Sequence, residues 1–127
     1  MTNQEDLRPL AVAAILMLRS RVRWKPGKDT QHVEKRIRVG HLQAGTTLEE
    51  YNRIISDILR QPDSSVYHYP FNGADYFGVV GKADEIPWLI ILSATGIMET
   101  AFPPKDLLNY LQRRNFIYLG KISEMIP

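Results

Sequence analysis

His32 and Arg36 stand four residues apart in the most basic stretch of a 127-residue chain. In a helix that spacing puts both side chains on one face, a turn apart. Histidine is the side chain whose proton moves near neutral pH. Nearby cations favour its neutral form, the form a general base needs. Arg36 and Lys35 can hold a substrate phosphate and stabilise charge that develops on it. The same spacing also fits a surface histidine on a short polar helix. Thr100 is the second candidate, a hydroxyl at the end of a strand expected to lie mid-sheet, where it can donate to a phosphate oxygen. It equally suits a β-former filling a pleat. Glu99 reads as a general base or as a surface charge. Tyr67, His68 and Tyr69 interleave aromatic rings on a strand, an arrangement that can stack on bases or pack half-buried against a sheet.

Other chemistries lack their residues. His32, His41 and His68 fall in a predicted helix, loop and strand, with no ligand spacing among them, so no metal site is expected. No glycine-rich loop leads from a strand into a helix, and there is no nucleophile elbow around Ser93 or Ser123. No cofactor is expected, and any hydrolysis must rest on side chains alone.

Charge narrows the partners. Residues 19–41 hold eight lysines and arginines against two acidic residues, a local +6. The remaining chain, with eight basic and twelve acidic residues, is −4. A basic band on an otherwise acidic chain suggests a polyanion, with phosphates the usual candidate; a solvated face is the plainer reading. The chain has no cysteine, which rules out a disulfide scaffold and suits a reducing cytoplasm. No apolar run reaches the ~20 residues of a membrane span, and the acidic start at residues 2–6 is unlike a secretory leader.

The elements that must position these residues follow from pattern. Residues 7–22 read as a helix apolar nearly all round, to be packed on several sides, with Pro9 in its first turn. A second, short helix is capped by Asp29 or Thr30 and runs through Val39. On it His32, Lys35, Arg36 and Val39 share one face, with Val33 and Ile37 on the other. Thr47 and Glu50 form a capping box for a third helix to about Arg60, with Leu48, Tyr51, Ile55, Ile58 and Leu59 inward. The period then changes to two. Strands at 66–71 and 75–81 flank Asn72-Gly73, a strong hairpin signal, and residues 82–87 link to the apolar run Trp88 to Leu92, a strand buried on both faces at the centre of the sheet. After the Ala94-Thr95-Gly96 turn, Ile97, Glu99 and Ala101 alternate with Met98, Thr100 and Phe102 up to Pro103 and Pro104. A helix at 105–114 and a short strand at 116–122 complete one α+β domain, its helices on an antiparallel sheet of about four strands.

His-Val-Glu-Lys-Arg (32–36), Thr-Leu-Glu-Glu-Tyr (47–51), Val-Tyr-His-Tyr (66–69) and the segment from Trp88 to Pro103 together resemble the barnase/EndoU/colicin/RelE-like (BECR-fold) small ribonucleases. Many members of that group are toxins or toxin-derived phage domains. The resemblance covers residues 32–104 and leaves out the first helix. It implies helices on a curved antiparallel sheet with the active site on its open face. It implies metal-independent RNA cleavage, in which a 2′-hydroxyl attacks the adjacent phosphate. The matching catalytic positions are His32, Arg36 and Thr100. Lys35, Arg38, His41, Tyr67 and His68 would bind substrate, and either His41 or His68 would be the acid. Expected partners are RNA, tRNA among it, and a cognate inhibitor protein, with no membrane, in the cytoplasm. Two other readings stand beside it. One is a non-catalytic nucleic-acid or protein-binding module of the same shape. The other is an interaction domain that dimerises through the apolar helix at 10–18.

Overall fold

Two turns of one kind shape the middle of the chain. Asn72 and Gly73 take φ of 50° and 76°, and Asp84 and Glu85 take 51° and 65°. Positive φ at both central residues is the hairpin geometry whose twist matches paired strands. In the computed structural model, which describes residues 4–127, these turns join β1 (Ser65–Phe71), β2 (Ala74–Ala83) and β3 (Ile86–Ser93). A turn at Gly96 leads to β4 (Met98–Phe102), and β5 (Ile117–Lys121) returns to pair with β1. The sheet is antiparallel, in the order β4-β3-β2-β1-β5. Around it stand α1 (Gln4–Ser20), α2 (Lys28–Arg38), α3 (Leu48–Arg60), α4 (Leu107–Arg113) and a short α5 (Ile122–Met125). The fold is α+β, with helices packed on an antiparallel sheet.

Several expectations need correction. The sheet has five strands, the short strand expected at 116–122 pairing with β1 as β5. The run Trp88 to Leu92 is interior, paired on both sides, but β2 is the central strand. The expected link at 82–87 is a tight turn between longer strands. β4, expected mid-sheet, is the edge. The reading of residues 2–6 rests on side chains outside the described part. α1 begins at Gln4, so Pro9 lies inside the helix. Only one face of α1 is buried, through Leu7, Ala11, Ala14, Ile15 and Leu18, while Leu10, Leu16 and Met17 stay exposed. Among the described residues no helix is long and apolar enough to cross a membrane.

The sheet is covered unequally. One face carries Val66, Phe77, Val79, Ile90 and Leu92 against the buried side chains of α1 and α3. The capping box of α3 forms as read: Glu50 N–H donates to Thr47 Oγ1 at 3.1 Å, and Thr47 N–H donates to Glu50 Oε1 at 3.0 Å. The other face holds a smaller cluster, Tyr69, Leu89 and Ile91 with Leu111 of α4, ringed by half-buried aromatics. Gly78 makes this packing possible. A Cβ there would lie 2.7 Å from the Phe116 ring.

Glu85 is the exception to the turn chemistry, since a glutamate has no local reason to take φ of 65° and the left-handed region costs an L-residue about 1–2 kcal/mol. Glu85→Gly should therefore stabilise the protein by about 1 kcal/mol, or roughly 3–5 °C in Tm. A lower Tm in that variant would show that the Glu85 side chain contributes more than its backbone costs.

Candidate active site

The ends of α2 place its residues. The helix starts two to three residues earlier than read, its N-cap being Gly27 at φ 80° rather than Asp29 or Thr30, with no side-chain cap. Asp29 accepts only from the adjacent Thr30 N–H, at 2.8 Å. At the other end Gly40 takes φ 82°, His41 N–H donates to Arg36 O at 2.8 Å, and Gly40 N–H donates to Ile37 O at 3.0 Å. This pair of bonds is the Schellman ending, which needs a left-handed residue and folds the chain back on the last turn. It returns His41 to Arg36, whose Nη1 donates to His41 Nδ1 at 3.0 Å.

α2 lies beside β4, and the two elements match in pitch. Four residues of helix rise about 6 Å, and two residues of strand advance about 6.8 Å. His32 therefore meets Thr100, with Nδ1 3.3 Å from Oγ1, and Arg36 meets Phe102, its guanidinium carbon 5.4 Å from the ring centroid. The alternation read for this strand is broken by a bulge. Leu92 pairs with Met98 and Ile91 with Thr100, so Glu99 is the extra residue. Met98 and Ala101 consequently both reach the main core. Glu99 turns to the surface and pairs with Lys25 at 3.8 Å.

Three residues overlooked in the sequence hold this arrangement. Tyr51, read only as part of a core stripe, donates its OH to Ala101 O at 2.6 Å and so ties β4 to α3. Trp24 packs its ring between Tyr51 (5.7 Å) and His32 (5.1 Å) and donates Nε1–H to Asn52 Oδ1 at 2.9 Å. Phe102 supplies the aromatic face beneath Arg36. Spacing could not reveal these contacts, because all but the Trp24–His32 pair join segments far apart in the chain.

Arg36 is 5 % exposed, whereas the face read for it put it with Lys35 and Val39, both exposed. Among the described residues no carboxylate forms an ion pair with it, and its Nε has no hydrogen-bond partner. Burial lowers its proton affinity, Tyr51 opposes that effect and Arg38 adds to it; an arginine stays charged regardless. Both neighbouring imidazoles are held below the ordinary value. For His32 the causes are burial, then Arg36, Lys35 and Lys28. For His41 they are burial, then Arg36. Arginine has no acceptor, so the Arg36 contact makes Nδ1 of His41 the acceptor and leaves the proton of the neutral ring on Nε2. The cluster thus presents a buried cation, two neutral imidazoles and a hydroxyl.

The remaining sequence candidates lie apart. Lys35 and Arg38 are exposed on α2. Tyr67 and His68 are on β1, separated from β4 by β2 and β3. Tyr67 packs against Phe116 and Tyr118, and the buried His68 pairs with Asp75 at 2.8 Å. The structure does not bring either to the cluster. The basic band also divides. Arg36 is inside the cluster, and Arg19 is engaged by donating Nε–H to Leu59 O at 2.9 Å. Arg19, Arg21, Arg23 and Arg53 line a separate cleft of about 870 Å³, with Trp24 and Asn52 in its wall and with Asp29 and Glu49 also in its lining, Glu49 pairing with Arg53 at 3.6 Å. Trp24 is therefore shared between that cleft and His32. Compared with known family models, with curated proteins and with solved structures, the chain matches none.

The lowered imidazoles have a consequence for stability. The folded protein resists protonation that the unfolded chain accepts, so the two histidines cost nothing well above the ordinary value of 6.5. Stability falls as the pH drops through that value, where the unfolded state binds more protons. Thermal melts from about pH 7.5 down to about pH 5 should show this fall, and His32→Gln and His41→Gln should each make it shallower. An unaltered pH slope in both variants would contradict the assignment.

Proposed function

We propose that this protein is a metal-independent endoribonuclease of the toxin-like BECR kind, cleaving RNA by attack of a ribose 2′-hydroxyl on the adjacent phosphate. The observation that carries the reading is Arg36. It is a buried guanidinium with no carboxylate partner among the described residues, flanked by two imidazoles and one hydroxyl. A buried cation in need of an anion, beside groups able to move protons, is what a phosphodiester requires of an active site.

In this reading His32 donates Nδ1–H to Thr100 Oγ1, which leaves Nε2 free as the base. The O2′ proton moves to that nitrogen while O2′ bonds to phosphorus and the P–O5′ bond breaks. Arg36 neutralises the charge gathered on the phosphate, and the Thr100 hydroxyl donates to a non-bridging oxygen. Nε2–H of His41 orients the water that protonates the departing O5′, and the hydroxide left behind takes the proton from His32. The products are a 2′,3′-cyclic phosphate and a free 5′-hydroxyl. RNA flanking the scissile bond would follow the arginine-lined cleft beyond Trp24.

The test is cleavage of total RNA in EDTA with detection of cyclic phosphate ends. Loss of a positioned base costs about 10²–10⁴-fold and of a single donor about 10²-fold. His32→Ala should therefore cost the most, and Thr100→Ala less. Arg36→Met, which keeps the stem volume, should nearly abolish turnover. Full activity in His32→Ala would refute the mechanism. Binding of RNA without cleavage by the wild type would favour the non-catalytic module instead.

The cleft carries its own prediction. Because Arg36 is buried, charge reversal there would test folding, so the exposed Arg21 and Arg23 are the positions to reverse. The Arg21→Glu, Arg23→Glu double variant should weaken RNA binding and lower its salt slope by about one per residue. An unchanged slope would remove the cleft from the binding surface.

A further inference from the structure

A second cavity adjoins the cluster. It has a volume of about 360 Å³, and His41, Phe102, Pro103, Asn109, Tyr110 and Arg113 are among its lining residues. That size falls within the ~300–1,000 Å³ range of small-molecule sites. His41 and Phe102 are also the two side chains that hold the Arg36 guanidinium, one by a hydrogen bond and one by its ring face. The cavity therefore begins where the anion position ends.

We infer that this cavity binds the nucleobase next to the phosphate held at Arg36, and that Tyr110 and Asn109 set which base is preferred. The inference rests on the ribonuclease reading for its substrate class. Its walls have the two properties that base recognition needs. The first is flat apolar surface. The Tyr110 and Phe102 rings pack edge to face, at 70° and 5.2 Å between centroids; Arg114 lies over the Tyr110 ring at 4.6 Å and Arg36 over the Phe102 ring, so a base would stack on the ring surface that these contacts leave open. Pro103 and the adjacent Pro104 add rigid apolar surface with no N–H to satisfy. The second is a free hydrogen-bonding group. Asp106 is already engaged, accepting the Asn109 N–H at 3.2 Å as the cap of α4. Among the described residues the exposed Asn109 amide has no such partner, and it offers both a donor and an acceptor to a base edge. Arg113, exposed at the rim, and Lys105 supply positive charge for the next phosphate.

Tyr110 also belongs to the smaller aromatic cluster, in contact with Phe116, so its removal alone could disturb packing. Asn109 is exposed and provides the cleaner variant. The experiment is calorimetric titration of the wild-type protein with the four nucleoside 3′-monophosphates, ribose phosphate and inorganic phosphate. Stacking one base on an aromatic ring corresponds to about tenfold or more in affinity. At least one nucleotide should therefore bind about tenfold tighter than ribose phosphate. Asn109→Ala should narrow the differences among the four bases, and Tyr110→Leu, shown to be folded by its melting curve, should remove most of the gain over ribose phosphate. Inorganic phosphate should bind all three proteins alike. The inference is overturned if the nucleotides bind no better than ribose phosphate. It is equally overturned if base-dependent binding persists unaltered in both variants. Base-dependent binding by a protein that cleaves no RNA would uphold the cavity and refute the ribonuclease reading. Cleavage without base-dependent binding would do the reverse.

Discussion

The constraint on which the rest depends is the burial of one positive charge. Taking a guanidinium out of water is expensive unless it is paired. Most proteins would place a carboxylate beside Arg36, and among the described residues none is paired with it. What offsets the cost is weaker and more distributed. Phe102 offers its ring face, a contact whose value rises as solvent is excluded. His41 accepts one N–H. A carboxylate would have stabilised the fold more simply, but it would also have cancelled the field on which the proposed phosphate site rests. With neutral partners the charge stays uncompensated, and its field adds to burial, the larger cause, in holding both imidazoles below their ordinary value.

Every element around Arg36 is arranged to keep it there. The Schellman ending at Gly40 exists because glycine accepts φ of 82° without penalty, and it is this ending that turns His41 back. The near-equal lengths of one helical turn and two strand residues let a single face of α2 address Thr100 and Phe102 together. Tyr51 fixes the strand and Trp24 fixes the helix, and the two rings pack on each other. His32 is therefore oriented from both sides, by Trp24 and by Thr100.

Much of the fold was legible because it rests on local signals. The capping box at Thr47, the Asn72-Gly73 turn and the change of period after α3 each involve residues close in sequence. The β2–β3 turn was missed because Asp84-Glu85 lacks the glycine that usually marks such geometry. Strand order was misjudged because an unbroken apolar run shows burial on two faces and does not say how many strands lie beyond. His32, Arg36 and Thr100 could be proposed from residue type and helical spacing, and the fold brings all three into one cluster. The burial of Arg36, the stacking of Trp24 and the support from Tyr51 were not legible, since they depend on α2 crossing the edge of a sheet formed some 60 residues later. Tyr67 and His68 show the converse. An aromatic-rich strand looks alike whether it faces a substrate or other rings, and here other rings and Asp75 take them.

The position at the sheet's edge links the site to the fold. A free edge strand exposes unpaired N–H and C=O groups and invites pairing with another chain. β4 escapes this through the same residues that build the cluster. Met98 N–H donates to Arg23 O at 2.8 Å, next to Trp24, and Ala101 O is taken by Tyr51. The backbone bridge between Trp24 and Met98 closes the sheet beyond β4. Covering the edge therefore requires a chain segment beside β4, and that segment leads directly into α2. Once α2 is held there, His32 and Arg36 must face Thr100 and Phe102. The cluster is thus a by-product of how the sheet ends, which is why it lies beside the edge strand and not on the open face, where Tyr69 and Phe116 stack 4.3 Å apart and fill the space.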